Sequence, residues 1–194
     1  MIKIFIADVR LLDIEGCLGK VSPARREKTL RLAGEGDKRH SLGVELLLKK
    51  VTGRSDYVLS KNEKPYFPDN EVFFSLAHCG DYAVCAVSDV PVGVDIELPR
   101  VGGARLAKRF FQSDEAALVY AADDPDREFC RLWTLKESYI KCADLRLGDV
   151  RSFSVVSGAH GCSFSGASHG EYLIGCCAKT QSDDEVITII NEKI

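Results

Sequence analysis

Hydrophobic and polar positions along this chain switch between two periods, one of two residues and one of three to four, and the switches mark its elements. Ile2-Lys3-Ile4-Phe5-Ile6-Ala7-Asp8 opens in near-strict alternation and predicts a strand over 2–9. Ser22 before Pro23 is a helix start, an N-cap serine followed by a residue suited to the first turn. Beyond Gly34-Glu35-Gly36 the period lengthens, with Leu42, Leu46 and Leu47 on one side of a helix expected from about 37 to 50. Short alternating or apolar runs predict strands near 56–59, 71–76, 82–88 and 92–97. Pro99 and Gly102-Gly103 then punctuate the chain. Its second half is expected to carry helices at about 104–111, after Ser113 and over 126–142, then strands at 151–157, 171–179 and 185–191.

Two passages echo one another. His78-Cys79-Gly80-Asp81-Tyr82 leads into the apolar run 83–87, and His169-Gly170-Glu171-Tyr172 leads into 173–178. Chance accounts for so short a match, and so does a repeat. If a repeat, the chain is an α+β protein of two similar lobes, residues 1–98 and 99–194, with a cleft between them. Its 194 residues, 45% hydrophobic and 28% charged, suffice for the core of one domain or two small ones.

A net charge of −3 argues against a general nucleic-acid binder. Residues 20–54 are nevertheless basic, with Arg25, Lys28 and Arg39 among them, which suits a bounded anion or an acidic partner. No apolar run approaches the roughly 20 residues that span a bilayer, and the opening segment reads as a strand rather than a signal peptide. The eight cysteines form no CxxC pair, which argues against spaced-ligand zinc and for reduced thiols in a cytoplasmic protein.

The chemistry concentrates in two segments. In Gly93-Val94-Asp95-Ile96-Glu97 the alternation sends Asp95 and Glu97 to one face of a strand, their Cα atoms roughly 6.5–7 Å apart. In Trp133-Thr134-Leu135-Lys136-Glu137-Ser138-Tyr139-Ile140-Lys141, helical spacing puts Glu137 and Lys141 one turn apart. Three acids and a lysine are parts for a magnesium–phosphate site. Each piece also has a plain structural account. The acids fit a solvated edge strand, the helix pair an ordinary ion pair, and Trp133 and Tyr139 core anchors. Gly93 leaves room for something to approach the backbone closely. His78 fits a turn hydrogen bond, and Lys64 in Lys64-Pro65-Tyr66 a surface loop.

The order of these segments resembles the 4′-phosphopantetheinyl transferases, specifically the two-lobed type that activates surfactin-like peptide synthetases. The signature G-[IV]-D-[IV]-E stands complete at 93–97, and [FW]-[STC]-x-K-E-[SA]-x-x-K at 133–141. Ser22-Pro23 with Arg25 and Lys28, the Arg39-His40-Ser41-Leu42-Gly43 run, Lys64-Pro65 and Phe74–Gly80 are similar to further family motifs. So are Phe110-Phe111 with Glu115, and Ser152–Val155.

The resemblance implies transfer of the 4′-phosphopantetheine arm of coenzyme A to a serine of an apo acyl or peptidyl carrier protein. It implies magnesium, or manganese in its place, held by Asp95, Glu97 and Glu137. It also implies coenzyme A contacts from Arg25, Lys28, Arg39, Lys64, Ala77, His78 and Lys141. Glu137, Lys141 and Asp95 are the expected catalytic set, with Glu137 also a candidate base. The implied enzyme is a monomer with an internal pseudo-twofold axis. It binds neither nucleic acid nor membrane.

The chain departs from the family pattern at several positions. Ala77 stands for the serine before the histidine, Ser75 for an asparagine and Arg25 for a common lysine. Glu63 replaces the glycine of G-K-P, and Cys142-Ala143-Asp144-Leu145 replaces a glycine-rich turn. The alternatives to a transferase are a non-catalytic relative that binds coenzyme A or a carrier, and a magnesium-dependent phosphohydrolase.

Overall fold

Strand alternation and helix period sort the described residues into two main sheets, each covered on its outer face by one long helix, and a two-stranded antiparallel ribbon at Val58–Leu59 and Pro65–Tyr66. The computed structural model describes residues 1–158, 161–180 and 187–194. In chain order the elements are β1 (Ile2–Asp8), α1 (Ile14–Leu18), α2 (Pro23–Leu30), α3 (Glu35–Thr52), β2 (Val58–Leu59), β3 (Pro65–Tyr66) and β4 (Phe73–Cys79). They continue with β5 (Tyr82–Ser88), β6 (Val92–Glu97), α4 (Ala107–Phe110), α5 (Ser113–Ala121) and α6 (Pro125–Ala143). The last three are β7 (Ser163–His169), β8 (Tyr172–Ala178) and β9 (Ile187–Glu192). Single turns of 3-10 helix stand at Gly103–Leu106 and Leu147–Arg151. Among the described residues no helix is long and apolar enough to cross a membrane.

The first sheet runs β4-β5-β1-β9, with β1 antiparallel to β5 and parallel to β9. The second runs β6-β8-β7, all antiparallel. Between the sheets lie Ile2, Ile4 and Ile6 from β1, Val84 and Ala86 from β5, Val92, Val94 and Ile96 from β6, and Ile174 and Cys176 from β8. Each large aliphatic side chain buried there contributes about 1.5–3 kcal/mol. On the far side of the first sheet α3 packs Val44, Leu47 and Leu48 against Ala7, Val9, Ala83 and Cys85.

The two halves exchange strands. β6 precedes residue 99 yet pairs with β8, and β9 from the end of the chain closes the first sheet beside β1. The strand that carries Asp95 and Glu97 therefore belongs to the second sheet, not to a sheet built from residues 1–98. The echoing passages are a matched pair of two-residue hairpins. Cys79 faces Tyr82 across Gly80-Asp81, and His169 faces Tyr172 across Gly170-Glu171. Both glycines have positive φ, 53° and 58°, as tight hairpin turns require. The hairpins meet each other: the Tyr82 and Tyr172 rings stand edge to face at 5.1 Å, and the Tyr172 hydroxyl accepts the Asp81 N–H.

One predicted strand is absent. Residues 151–157 form a 3-10 turn and irregular backbone. Their backbone groups go elsewhere: the Phe153 carbonyl accepts from Lys136 and the Val155 N–H donates to Glu115. The predicted strand at 185–191 is β9, and its first two residues lie outside the described residues.

Candidate functional site

The site begins with two glycines. On β6, Val92, Val94 and Ile96 point between the sheets, so Gly93, Asp95 and Glu97 take the face toward α6. A Cβ on Gly93 would stand 1.9 Å from the Ser138 carbonyl oxygen. One on Gly175, across from Asp95 on β8, would stand 2.4 Å from the Thr134 carbonyl carbon. The room at Gly93 is thus filled by α6, not left for a ligand. Small residues on the helix match the glycines. Thr134 and Ser138, one turn apart, return their hydroxyls to the Arg131 and Leu135 carbonyls. The helix is brought down onto β6, and Glu137 and Lys141 come with it.

Lys141 does not pair along its own helix with Glu137. Its ammonium donates to Asp95 Oδ1 at 2.7 Å and to the Val94 carbonyl at 3.1 Å. Asp95 is buried, and its Oδ2 is the one buried side-chain oxygen among the described residues without a hydrogen-bond partner. Glu97 is half-buried and accepts from the Cys79 thiol at 3.5 Å, with Arg100 4.0 Å away. Burial raises the pKa of all three acids. Asp95 adds to the effect on Glu97 and Glu137, while Lys141 opposes it. Burial disfavours all three carboxylates as anions and leaves one buried oxygen without a partner, a donor chemistry that a hard divalent cation would relieve. The three do not converge as one tight ligand group among the described residues.

The lysine inside the helix motif does different work. Lys136 and Glu115 are fully buried and joined at 2.8 Å to both carboxylate oxygens. Glu115 also accepts the Gln112 and Val155 N–H groups, so the pair ties α5, α6 and the segment after α6 together. Glu115 entered the sequence reading only through the F-F-x-x-x-E match. No periodicity flags a buried ion pair.

The basic residues divide. His78 is exposed at the end of β4 and stacks on His40 of α3 at 4.5 Å. Packing around the ring, then the charges of His40, Lys141 and Lys28, push His78 down to about 4. Lys28, Lys141 and His78 therefore act on one region. Arg25 is turned inward, its guanidinium on Glu45 at 3.1 Å and on the Tyr57 hydroxyl at 3.2 Å, with only 12% of its side chain exposed. Arg39 pairs with Glu35 on its own helix and reaches the Leu12 carbonyl. Ala77 is buried and packs its methyl into the core between the sheets, so it offers no polar side-chain contact.

Lys64 sits at the C-terminal end of α6, donating to the carbonyl of Cys142, the residue after Lys141, at 3.3 Å. Two departures from the family pattern meet there. Glu63, in place of glycine, has a φ of 66°, and Asp144, in the replaced turn, has 52°. Asp144 ends α6 in the left-handed conformation that glycine usually supplies, and binds the Lys64 loop through Ser60 and Asn62.

Beside Glu97 opens a cavity of about 480 Å³, lined by Leu98, Leu106, Phe110, Phe129, Trp133 and Leu147 among others. Its walls are mostly apolar, with Arg100 at the rim.

A family model described as the 4′-phosphopantetheinyl transferase superfamily matches residues 91–189. The chain is 33% identical over 133 residues to 4′-phosphopantetheinyl transferase Sfp of Bacillus subtilis (strain 168), covering 62% of this chain and 59% of that protein. A 4′-phosphopantetheinyl transferase of Bacillus subtilis is 32% identical over 151 residues, or 71% of this chain and 67% of the relative. 4′-Phosphopantetheinyl transferase HetI of Nostoc sp. (strain PCC 7120 / SAG 25.82 / UTEX 2576) is 34% identical over 118 residues, 56% and 49% of the two chains. The matches thus span about half to two thirds of these relatives' lengths.

Proposed function

This chain belongs to the 4′-phosphopantetheinyl transferase superfamily, and from that premise we propose that it moves the 4′-phosphopantetheine arm of coenzyme A onto a serine of an apo carrier protein, releasing adenosine 3′,5′-bisphosphate. The observation that carries this reading is the buried, orphaned Asp95 Oδ2 among Glu97, Glu137 and Lys141. We assign magnesium, or manganese in its place, to these three acids. Such an ion would neutralise charge developing on the pyrophosphate oxygens.

The chain's own residues supply the rest. Lys141, fixed by Asp95 and the Val94 carbonyl, presents its ammonium beside the acids, where a phosphate would lie. Lys28 extends that positive region along α2, and His78 on β4 adds a neutral imidazole beside it. Lys64 holds the C-terminal end of α6, and we assign its ammonium to an adenosine phosphate. Arg25 and Arg39 support the region from behind, through Glu45 and Glu35. Glu137, its pKa raised by burial and by Asp95, is suited to take the proton of the attacking serine hydroxyl. The apolar cavity beside Glu97 suits the pantetheine arm or an apolar patch of the carrier, and Val101, Leu106 and Leu147 around it are exposed. The two sheets with their covering helices are the two lobes, within one monomer.

The test is direct. Incubate the protein with coenzyme A, magnesium and several apo carrier proteins, and weigh the carriers. A gain of one phosphopantetheine, abolished by Asp95→Ala, supports the reading. Tight coenzyme A binding with no mass gain on any carrier overturns it.

A further inference from the structure

Three cysteines far apart in sequence converge behind the second sheet. Cys142 closes the last turn of α6, Cys177 lies on β8 and Cys162 immediately precedes β7. Their sulfurs all lie within 4.8 Å of one another. Cys142 and Cys177 are buried and Cys162 is half-buried, so the cluster has one open side. The residue spacing hides this entirely, because each thiol comes from a different element.

We propose that Cys142, Cys162 and Cys177 form a thiolate site for a soft cation, zinc or cuprous copper, separate from the carboxylate site at Asp95. Sulfurs bound to one zinc at about 2.3 Å stand roughly 3.8 Å apart, a spacing that small side-chain rotations reach from this cluster. Three protein ligands and one open position on the exposed side complete a tetrahedron with water. Charge also matches. Three thiolates and a divalent cation leave one negative charge, and the Lys64 ammonium lies close enough to act on both Cys142 and Cys177. Each thiol loses its proton to solvent as its sulfur–metal bond forms. Acids do not compete at this position: the ligand set is sulfur only, which favours soft ions over magnesium. A bound ion would pin the end of α6 to β8 and to the start of β7.

The full chain, reduced and stripped of metal, is titrated with cobalt as a spectroscopic stand-in for zinc. The expected result is a sulfur-to-cobalt charge-transfer absorption that saturates at one equivalent and is bleached by zinc. Glu137→Gln and Cys85→Ser should retain that absorption, and Cys162→Ser, at the half-buried position, should lose it. Zinc should raise the melting temperature of the native chain but not that of Cys162→Ser. A native chain that shows no such absorption, or an absorption unchanged by Cys162→Ser, overturns the site. So does cobalt uptake that Glu137→Gln abolishes, since the ion then resides among the carboxylates.

Discussion

Replacing Gly93 with alanine tests whether the site is set by how closely α6 approaches β6. The new Cβ would stand 1.9 Å from the Ser138 carbonyl oxygen and 2.6 Å from the Cys142 amide nitrogen. Both are helix backbone, so no side chain can rotate away. Restoring ordinary contact, at about 3.4 Å, requires this part of α6 to retreat by roughly 1.5 Å. Lys141 lies between those two residues in sequence, and its 2.7 Å bond to Asp95 cannot survive such a shift unaltered. Overpacking of this kind costs about 1–3 kcal/mol of stability. A misplacement near 1 Å at a reacting centre costs on the order of 100-fold in rate. Urea unfolding gives the first quantity and carrier mass gain under single-turnover conditions the second. Gly166→Ala is the control: its Cβ would meet only the Ile174 carbonyl oxygen, at 3.9 Å. It should change stability by no more than about 0.5 kcal/mol. A Gly93→Ala protein with native stability and native rate would refute the view that this contact positions Glu137 and Lys141.

Further expectations concern the charged groups. Glu115→Ala leaves Lys136 buried without its partner and should cost about 3–5 kcal/mol in urea unfolding. Glu137→Gln removes a carboxylate whose raised pKa makes its charged form unfavourable in the fold, so at neutral pH the metal-free variant should melt at a higher temperature while losing transfer. Burial moves the titration of Asp95, Glu97 and Glu137 above the ordinary carboxylate range, so magnesium competes with protons for them there. Its affinity by calorimetry should therefore rise with pH across that range and show proton release. His78 is neutral above about 4 in the free protein, and an adjacent phosphate raises its pKa. Coenzyme A should therefore bind more tightly as pH falls toward about 4 from the higher pKa of the complex, and His78→Ala should flatten that dependence. Glu63→Gly relieves a non-glycine residue at positive φ and should stabilise the chain by about 1 kcal/mol.

The elements that carry chemistry were the most legible in the sequence. β6 and α6 fall within a residue of their expected bounds, because strict alternation and an unbroken helical period define them. β7 escaped notice because Ser163-Phe164-Ser165-Gly166-Ala167-Ser168-His169 is built of small, half-exposed residues with little strand preference. The segment at 151–157 misled for the opposite reason. Phe153 buries as a strand residue would, but Lys136 and Glu115 take the backbone groups that a neighbouring strand would need. At the proposed site, residue order pointed to the three acids and Lys141, but not to the pairing of Lys141 with Asp95 or the burial of Lys136. The first depends on the distance of α6 from the second sheet, which Gly93 and Gly175 set, and the second on α5 and the segment after α6 closing over Lys136; no periodicity encodes either. Arg25 and Ala77 look alike as motif positions, yet one is bound to Glu45 and the other packs into the core.

On the proposed function, the acid–lysine cluster splits coenzyme A only to load a carrier. One tube containing the protein, coenzyme A and an apo carrier that it modifies should be followed for two products together. One adenosine 3′,5′-bisphosphate should be released for each phosphopantetheine gained by the carrier, both stopped by a chelator and both restored by magnesium. Bisphosphate released with no carrier present, or transfer unaffected by the chelator, would contradict it.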